Sequence, residues 1–219
     1  MKSEKTTHIK ISESNKYPTL KLKKDPDMLH LYLNGEIRIL TPSEYHRLRE
    51  AIPKDIHKTV LDVLLITGMR YIEMLRLYEN PVWYNEKRNI IHLPEEAQLK
   101  HKRRQLKRTI HPLPSMFHYT MKGFFSGRQP PVESNWNRGL RKWAEAAGIN
   151  PYGVSAKTTR KTIESWQIAA GVLESTTCLR AGHDSLTSMR HYQGLCFSDE
   201  ELRDIKKLLS EWSILKQGV

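Results

Sequence analysis

The sequence predicts a mainly α-helical protein with a small antiparallel β-sheet. Apolar residues recur at helical spacing through most of the 219 residues, and several of these segments start at a capping Ser or Thr. Strand-like segments are few and short. A chain of this length buries one sizeable core and forms one or two domains. We expect residues 1–40 to form an N-terminal extension that contains a β-hairpin, and residues 41–219 to form the main domain.

Local signals place the individual elements. Alternating residues at 29–33, a type I′ turn at Asn34-Gly35 and the return segment 36–40 predict the hairpin. Thr41, followed by Pro42 and then by Glu44, predicts a capped helix start. Helices are expected at about 42–51, 54–67, 70–78, 135–147, 156–169, 172–180 and 199–212, strands at 89–93 and 108–113, and a loop at 122–131.

The composition favours a polyanionic partner. Apolar residues make up 38% and charged residues 27% of the chain, which is ordinary, but the formal net charge is +12. Such an excess favours nucleic acid ahead of an anionic membrane surface. No apolar run approaches the ~20 residues that span a bilayer, and the N-terminus has no apolar signal segment, so we expect a cytoplasmic protein. Cys178 and Cys196 lack C-x-x-C spacing, and free thiols are expected.

Three short motifs contain the residues with the clearest chemistry. They are T-G-x-R-x-x-E at Thr67 to Glu73, K-x-x-R at Lys157 to Arg160, and G-H with a tyrosine nine residues later, at His183 and Tyr192. A tyrosine that attacks a phosphodiester needs cations on the non-bridging oxygens, a proton donor for the leaving 5′ oxygen and an in-line approach. Two arginines, a lysine, a histidine and a tyrosine supply these groups without a metal.

The order and spacing of these motifs resemble the tyrosine recombinase (phage integrase) family, most closely its archaeal viral or plasmid integrases. The resemblance covers roughly residues 41–212 and implies the tyrosine recombinase catalytic-domain fold. It implies that Tyr192 is the nucleophile and that Lys100 protonates the leaving oxygen, with Lys102 as the alternative. The residues expected to hold the phosphate are Arg70, Lys157, Arg160 and His183, while Glu73 is expected to orient arginine. Many relatives have histidine at the position of Lys157, where a charged lysine more naturally stabilises phosphate.

A run of basic residues separates the two predicted strands. Residues 100–108 contain six Lys or Arg side chains, which repel one another unless an anion lies between them. On the tip of a β-hairpin they would contact the DNA backbone and add salt-dependent affinity. The residues expected to bind DNA in this way are Lys102, Arg103, Arg104, Lys107 and Arg108.

The resemblance implies a site-specific DNA recombinase or integrase that cuts and rejoins DNA through a 3′-phosphotyrosyl intermediate, with no metal, ATP or other cofactor. Its partner would be double-stranded DNA at attachment sites. The protein would be a monomer when free, a homotetramer on DNA, and associated with the nucleoid when bound. The C-terminal helix would pack either on its own domain or on a neighbouring protomer.

Other interpretations of the same residues stay open. A type IB topoisomerase uses the same five groups to relax DNA, and a non-catalytic DNA-binding remnant would keep the charge and the fold without turnover. Family members usually carry a helical DNA-clamping domain before the catalytic one. Residues 1–40 are too short and too strand-like for that domain, so the chain is either a catalytic fragment or a minimal form.

Overall fold

A computed structural model of the chain describes residues 31–98, 107–182 and 195–215. The compact unit considered below begins at Tyr32. Most of the predicted N-terminal extension lies outside the described residues, so the division of the chain at residue 40 stays a prediction. No helix within the described ranges is both long and apolar enough to cross a membrane.

The described residues are mainly helical, as predicted. Their α-helices are α1 (Pro42–Ala51), α2 (Asp55–Thr67), α3 (Tyr71–Glu79), α4 (Phe117–Ser126), α5 (Glu133–Ala146), α6 (Thr158–Ala169), α7 (Glu174–Ala181) and α8 (Asp199–Glu211). A short 3-10 helix at Pro81–Trp83 connects α3 to the strand that follows it, and a second, at Glu95–Ala97, follows the strand Ile90–Leu93.

Two small antiparallel sheets accompany the helices. The first pairs β1 (Leu33–Asn34) with β2 (Ile37–Arg38). The second has the order β3 (Tyr84–Asn85), β4 (Ile90–Leu93) and β5 (Arg108–Ile110). In this second sheet, Leu93 of β4 lies opposite Arg108 of β5. The predicted basic turn therefore connects two strands that do pair with each other.

Helix α2 occupies the centre of the core. Val60, Leu61 and Leu64 are fully buried, and the helix packs against α4 and α6. From Val60 to Thr67 every residue of α2 except Asp62 is buried, and a segment that is apolar on nearly every side belongs inside a core. The C-terminal end of α2 is therefore held firmly where the chain enters the T-G-x-R motif.

The N-terminal hairpin is displaced by one residue from its predicted register. Asn34 pairs with Ile37, so the turn residues are Gly35 and Glu36 instead of Asn34 and Gly35. Tertiary contacts account for this register. The Arg38 N–H donates to the Gly153 carbonyl at 3.0 Å, and the buried Arg38 guanidinium pairs with Glu44. A shift by one residue would turn these side chains to the other face.

Helix α4 was not predicted, and the expected loop at 122–131 is wrong in its N-terminal part. Phe117, Met121 and Phe124 are buried and recur at helical spacing. Gly123 lies inside this helix, and the glycine and proline residues that follow it resemble a loop. Packing of the apolar stripe on α2 outweighs the weak helix propensity of one glycine.

The C-terminal helix packs on its own domain. Ile205 and Leu209 of α8 are fully buried, and Trp212, just after the helix, stacks on Trp166 with ring centroids 6.2 Å apart. Tyr45 of α1 meets Trp212 edge-on at 6.2 Å. Of the two placements left open by the sequence, the described part of this helix adopts the one within its own chain.

Candidate active site

The first motif forms a tight turn between α2 and α3. Gly68 ends α2 in the left-handed conformation, with φ of 65°, which costs glycine little. The Met69 N–H donates to the Thr67 hydroxyl at 3.3 Å, which fixes the chain inside the turn. Arg70 then stands immediately before the first residue of α3, as predicted, with a side chain that is 25% exposed. The turn thus brings a cationic group to the surface at a rigid position.

Glu73 is a fully buried carboxylate surrounded by arginine donors. Its Oε1 accepts from Arg70 Nη1 at 2.6 Å and from Arg108 Nη1 at 3.0 Å. Its Oε2 accepts from Arg108 Nη2 at 2.7 Å and from the Arg70 backbone N–H at 2.8 Å. Burial alone would raise the pKa of Glu73, but the charges of Arg108, Arg70 and Arg160 outweigh it and lower the pKa to about 2. Glu73 is therefore ionised and orients Arg70.

Arg160 connects the first motif with the third. Its Nη1 donates to the Gly68 carbonyl at 2.9 Å, and its Nη2 donates to the Ala181 carbonyl at 2.6 Å. Gly68 lies two residues before Arg70, and Ala181 lies two residues before His183. Nε of Arg160 also lies 2.9 Å from Oε1 of Glu164. These contacts use at most three of the five N–H groups of the guanidinium.

Two lysines lie near Arg160 in the sequence, one just before α6 and one within it. Lys157 stands just before the helix and is exposed, while Lys161 is mostly covered and lies 3.6 Å from Glu164. Burial lowers the pKa of Lys161, and the neighbouring Arg160 and Arg70 lower it further, against the opposing effect of Glu164. The hydrogen bond from Arg160 to the Gly68 carbonyl places the start of α6 beside the turn that precedes α3.

Arg108 does not lie where the sequence analysis expected it. Its side chain is only 1% exposed and both of its terminal nitrogens bind Glu73, so it is not part of an exposed DNA-binding turn. Lys107, by contrast, is exposed. The alternation along β5 contained the missed signal, because Arg108 must share the inward face with the buried Ile110.

Gly182 of the third motif packs directly on Arg108. A Cβ atom at this position would lie 2.9 Å from both Cδ and Nη1 of Arg108, closer than real Cβ contacts allow. Gly182 also has a left-handed φ of 71°. The close approach explains the need for glycine here and places the end of α7 against the Glu73 cluster.

Arg180 is a further buried arginine, which the motifs did not include. Its Nη1 donates to the Pro112 carbonyl at 2.7 Å, and its Nη2 donates to the Ile66 carbonyl at 2.6 Å. Burial, together with the nearby charge of Arg108, lowers the pKa of Arg180 to about 9. Arg180 ties α7 to the end of α2 and so supports the contact between the first and third motifs.

Several predicted site residues lie outside the described residues. They are Lys100, Lys102, Arg103, Arg104, His183 and Tyr192. The described cluster contains the cationic side chains of Arg70, Arg108, Arg160 and Lys161 around the carboxylates of Glu73 and Glu164. Its net positive charge favours an anion such as phosphate. Within the described ranges, no group of three His, Cys, Asp or Glu side chains is arranged to hold a metal ion.

Comparison with known proteins gives matches at the level of structure. No family model and no curated protein sequence matches the chain. The crystal structure of XerA recombinase is similar, with a TM-score of 0.58 and 19% identity over 78% of this chain and 64% of that one. The Tn1549 transposon integrase in complex with transposon right end DNA is also similar, with a TM-score of 0.58 and 15% identity over 78% of this chain and 66% of that one. The aligned part thus spans less than two thirds of each of those chains.

These matches concern the fold of the chain. Both solved structures align over the same share of this chain, although fewer than one residue in five is identical. Similarity at this level of identity concerns the path of the backbone. The mainly helical chain with its small antiparallel sheets has the fold of a tyrosine recombinase catalytic domain.

Proposed function

We propose that the chain is a site-specific DNA recombinase or integrase. The observation that carries this proposal is the position of Arg160, whose guanidinium hydrogen-bonds both Gly68 and Ala181. Segments separated by about a hundred residues thereby meet around one cationic group, next to Arg70 and its carboxylate Glu73. Preorganised cations of this kind stabilise the charge that develops on a phosphate during transfer.

The cationic residues hold the scissile phosphate in this proposal. Arg70 and Arg160 bind its non-bridging oxygens, and Lys157 and His183 add further donors. Glu73 restrains Arg70, while the two backbone carbonyls restrain Arg160. Because the guanidinium groups are fixed before DNA arrives, little reorganisation is needed when phosphorus becomes pentacoordinate.

Tyr192 performs the nucleophilic step. The surrounding cations favour loss of the phenolic proton to solvent, the phenolate oxygen attacks phosphorus as the bond from phosphorus to the 5′ oxygen breaks, and a 3′-phosphotyrosyl bond results. Lys100, or Lys102 in its place, gives a proton to the leaving 5′ oxygen. The 5′ hydroxyl of a partner strand then attacks the phosphotyrosine and reverses these steps, so the energy of the phosphodiester is conserved and no ATP, metal or cofactor takes part.

The proposed partner is double-stranded DNA at a pair of attachment sites. The similar Tn1549 integrase structure contains transposon right end DNA, and the net charge of +12 supports a polyanionic partner. Exchange between two duplexes uses four protomers, which we propose assemble on DNA from free monomers. The biological role would be the integration or excision of a viral or plasmid element, in the cytoplasm and at the nucleoid.

A suicide substrate tests the proposal. Duplexes that the protein binds are selected from a random-sequence pool, and a nick is then placed just beyond the cleaved phosphate so that the short 5′-hydroxyl fragment diffuses away. The wild-type protein is expected to accumulate a protein–DNA adduct that resists SDS. Tyr192→Phe is expected to bind the same DNA with similar affinity and to form no adduct.

The alternative functions give different results in the same experiments. DNA binding without an adduct from the wild-type protein would contradict the proposal and favour a DNA-binding remnant. An adduct together with relaxation of supercoiled plasmid, but without strand exchange between two duplexes, would favour a type IB topoisomerase-like enzyme.

A further inference from the structure

Arg108 has no direct access to a substrate. Its side chain is 1% exposed, and both terminal nitrogens of its guanidinium donate to Glu73. Its effect on any reaction at the surface must therefore pass through the residues that it touches. Glu73 is the most direct of these, because the two side chains form a two-bond ion pair in a fully buried position.

Glu73 is shared between a buried arginine and a partly exposed one. Arg108 binds both carboxylate oxygens, whereas the Arg70 side chain reaches Oε1 with Nη1. The arrangement is asymmetric because a carboxylate that already accepts a two-bond guanidinium contact cannot offer the same planar contact to a second guanidinium. Arg70 is thus oriented by Glu73 without being paired face to face with it.

We infer that Arg108 is a positioning residue that keeps Glu73 from forming a two-bond ion pair with Arg70. This inference rests on the proposed function, in which Arg70 binds the scissile phosphate. If Arg108 is absent, Glu73 is a buried carboxylate whose nearest cation is Arg70. The carboxylate would then rotate onto the Arg70 guanidinium, because an ionised group without full pairing is costly in a buried position. Arg70 would lose both charge and donors for phosphate.

The contact with Gly182 supports this role independently. Cδ and Nη1 of Arg108 occupy the space that a side chain at position 182 would need. Arg108 therefore lies between the carboxylate that orients Arg70 and the residue just before His183. A side chain in this position couples the end of α7 to the carboxylate that orients Arg70.

Epistasis with Glu73 is the test. On the suicide substrate at saturating DNA, Arg108→Gln is expected to form adduct about 100-fold more slowly, comparable with the loss of one preorganised donor, while the Kd for DNA changes less than about threefold. Glu73→Gln removes the carboxylate that would capture Arg70. In that background, Arg108→Gln is expected to have no further effect, so the double variant and Glu73→Gln alone react at the same rate.

A control variant distinguishes this role from a general loss of stability. Arg49→Gln also removes an arginine that pairs with a carboxylate, here Asp62, and this pair shares no partner with Glu73. It is expected to lower the unfolding midpoint and to leave the rate of adduct formation unchanged. If Arg108→Gln fails to fold, Arg108→Lys takes its place in both the wild-type and the Glu73→Gln backgrounds, because lysine keeps the charge and cannot make the two-bond contact with Glu73.

The possible outcomes separate the two proposals. A wild-type protein that forms no adduct overturns the proposed function and this inference with it. A wild-type adduct, with Arg108→Gln as fast as wild type, overturns this inference alone. So does a double variant that is much slower than Glu73→Gln, because Arg108 would then act by a route other than Glu73. Equal rates for those two variants, with a slow Arg108→Gln, support the inference.

Discussion

Replacement of Gly182 by alanine tests the packing between the third motif and the Glu73 cluster. Gly182 has φ of 71°, and its Cβ would lie 2.9 Å from two atoms of Arg108. Gly171 offers a matched control. It also follows a helix with a left-handed backbone, at φ of 86°, but no atom lies within 4 Å of the Cβ that alanine would add. The two variants therefore share the backbone strain and differ in the contact.

The expected losses in the free energy of unfolding follow from the backbone strain and from the steric contact. An alanine in the left-handed region costs about 1 kcal/mol, which is the whole expected loss for Gly171→Ala. Gly182→Ala adds a steric term of about 1–3 kcal/mol, because Arg108 is buried and tied to Glu73 by two hydrogen bonds and cannot easily move. We therefore expect a total loss of about 2–4 kcal/mol in the free energy of unfolding at Gly182.

Urea denaturation, monitored by tryptophan fluorescence, measures the free energy of unfolding of both variants. The rate of adduct formation is measured beside it, and we expect Gly182→Ala to lower this rate at least tenfold while Gly171→Ala leaves it near the wild-type value. Equal losses of stability for the two variants, with unchanged rates, would contradict the contact between Gly182 and Arg108 and the role that we derive from it.

Three further predictions concern the carboxylate, the C-terminal helix and Arg160. Because the pKa of Glu73 is lowered from 4.5 to about 2, its contribution to stability is present above about pH 5 and is lost as the pH falls towards 2. Glu73→Gln should therefore flatten the acid side of the stability profile measured by urea titration, and an unchanged slope would argue against the ion pairs. Trp212→Ala should cost about 2–3 kcal/mol at every protein concentration, since Trp212 packs within its own chain, and a concentration-dependent midpoint would contradict this packing. Arg160→Lys should slow adduct formation about 100-fold, because lysine cannot span two carbonyls, whereas Arg203→Lys on the exposed face of α8 should not.

Elements set by local signals could be predicted well. The capping box at the start of α1 is present, with the Glu44 N–H donating to the Thr41 hydroxyl at 3.2 Å and the Thr41 N–H donating to Glu44 at 3.0 Å. Ser198 and Glu201 form the same arrangement at the start of α8. Gly68 ends α2 and leaves Arg70 at the start of α3. Each of these features depends on residues within about four positions of one another, so the sequence alone contains the information.

Features that depend on distant partners could not be predicted from local pattern. The hairpin register depends on Gly153 and Glu44, and the burial of Arg108 depends on Glu73, which lies on another element. A basic run read by charge alone assigns all of its members to solvent or DNA. The last residue of the run, Arg108, instead faces the interior, because side chains alternate between the two faces of β5. The family resemblance implied that Arg70 and Arg160 act on one phosphate, which stays a prediction, whereas the carbonyl contacts that hold Arg160 required the fold.

The most direct test of the central claim is to trap the covalent adduct on a suicide substrate and to identify the linked residue by mass spectrometry of the digested protein. We expect a single DNA-linked peptide with the phosphate on Tyr192, and no adduct from Tyr192→Phe or from Arg160→Ala. The absence of any adduct on DNA that the wild-type protein binds tightly, or a link to a different residue, would contradict the proposal that these cations surround one phosphate and activate this tyrosine.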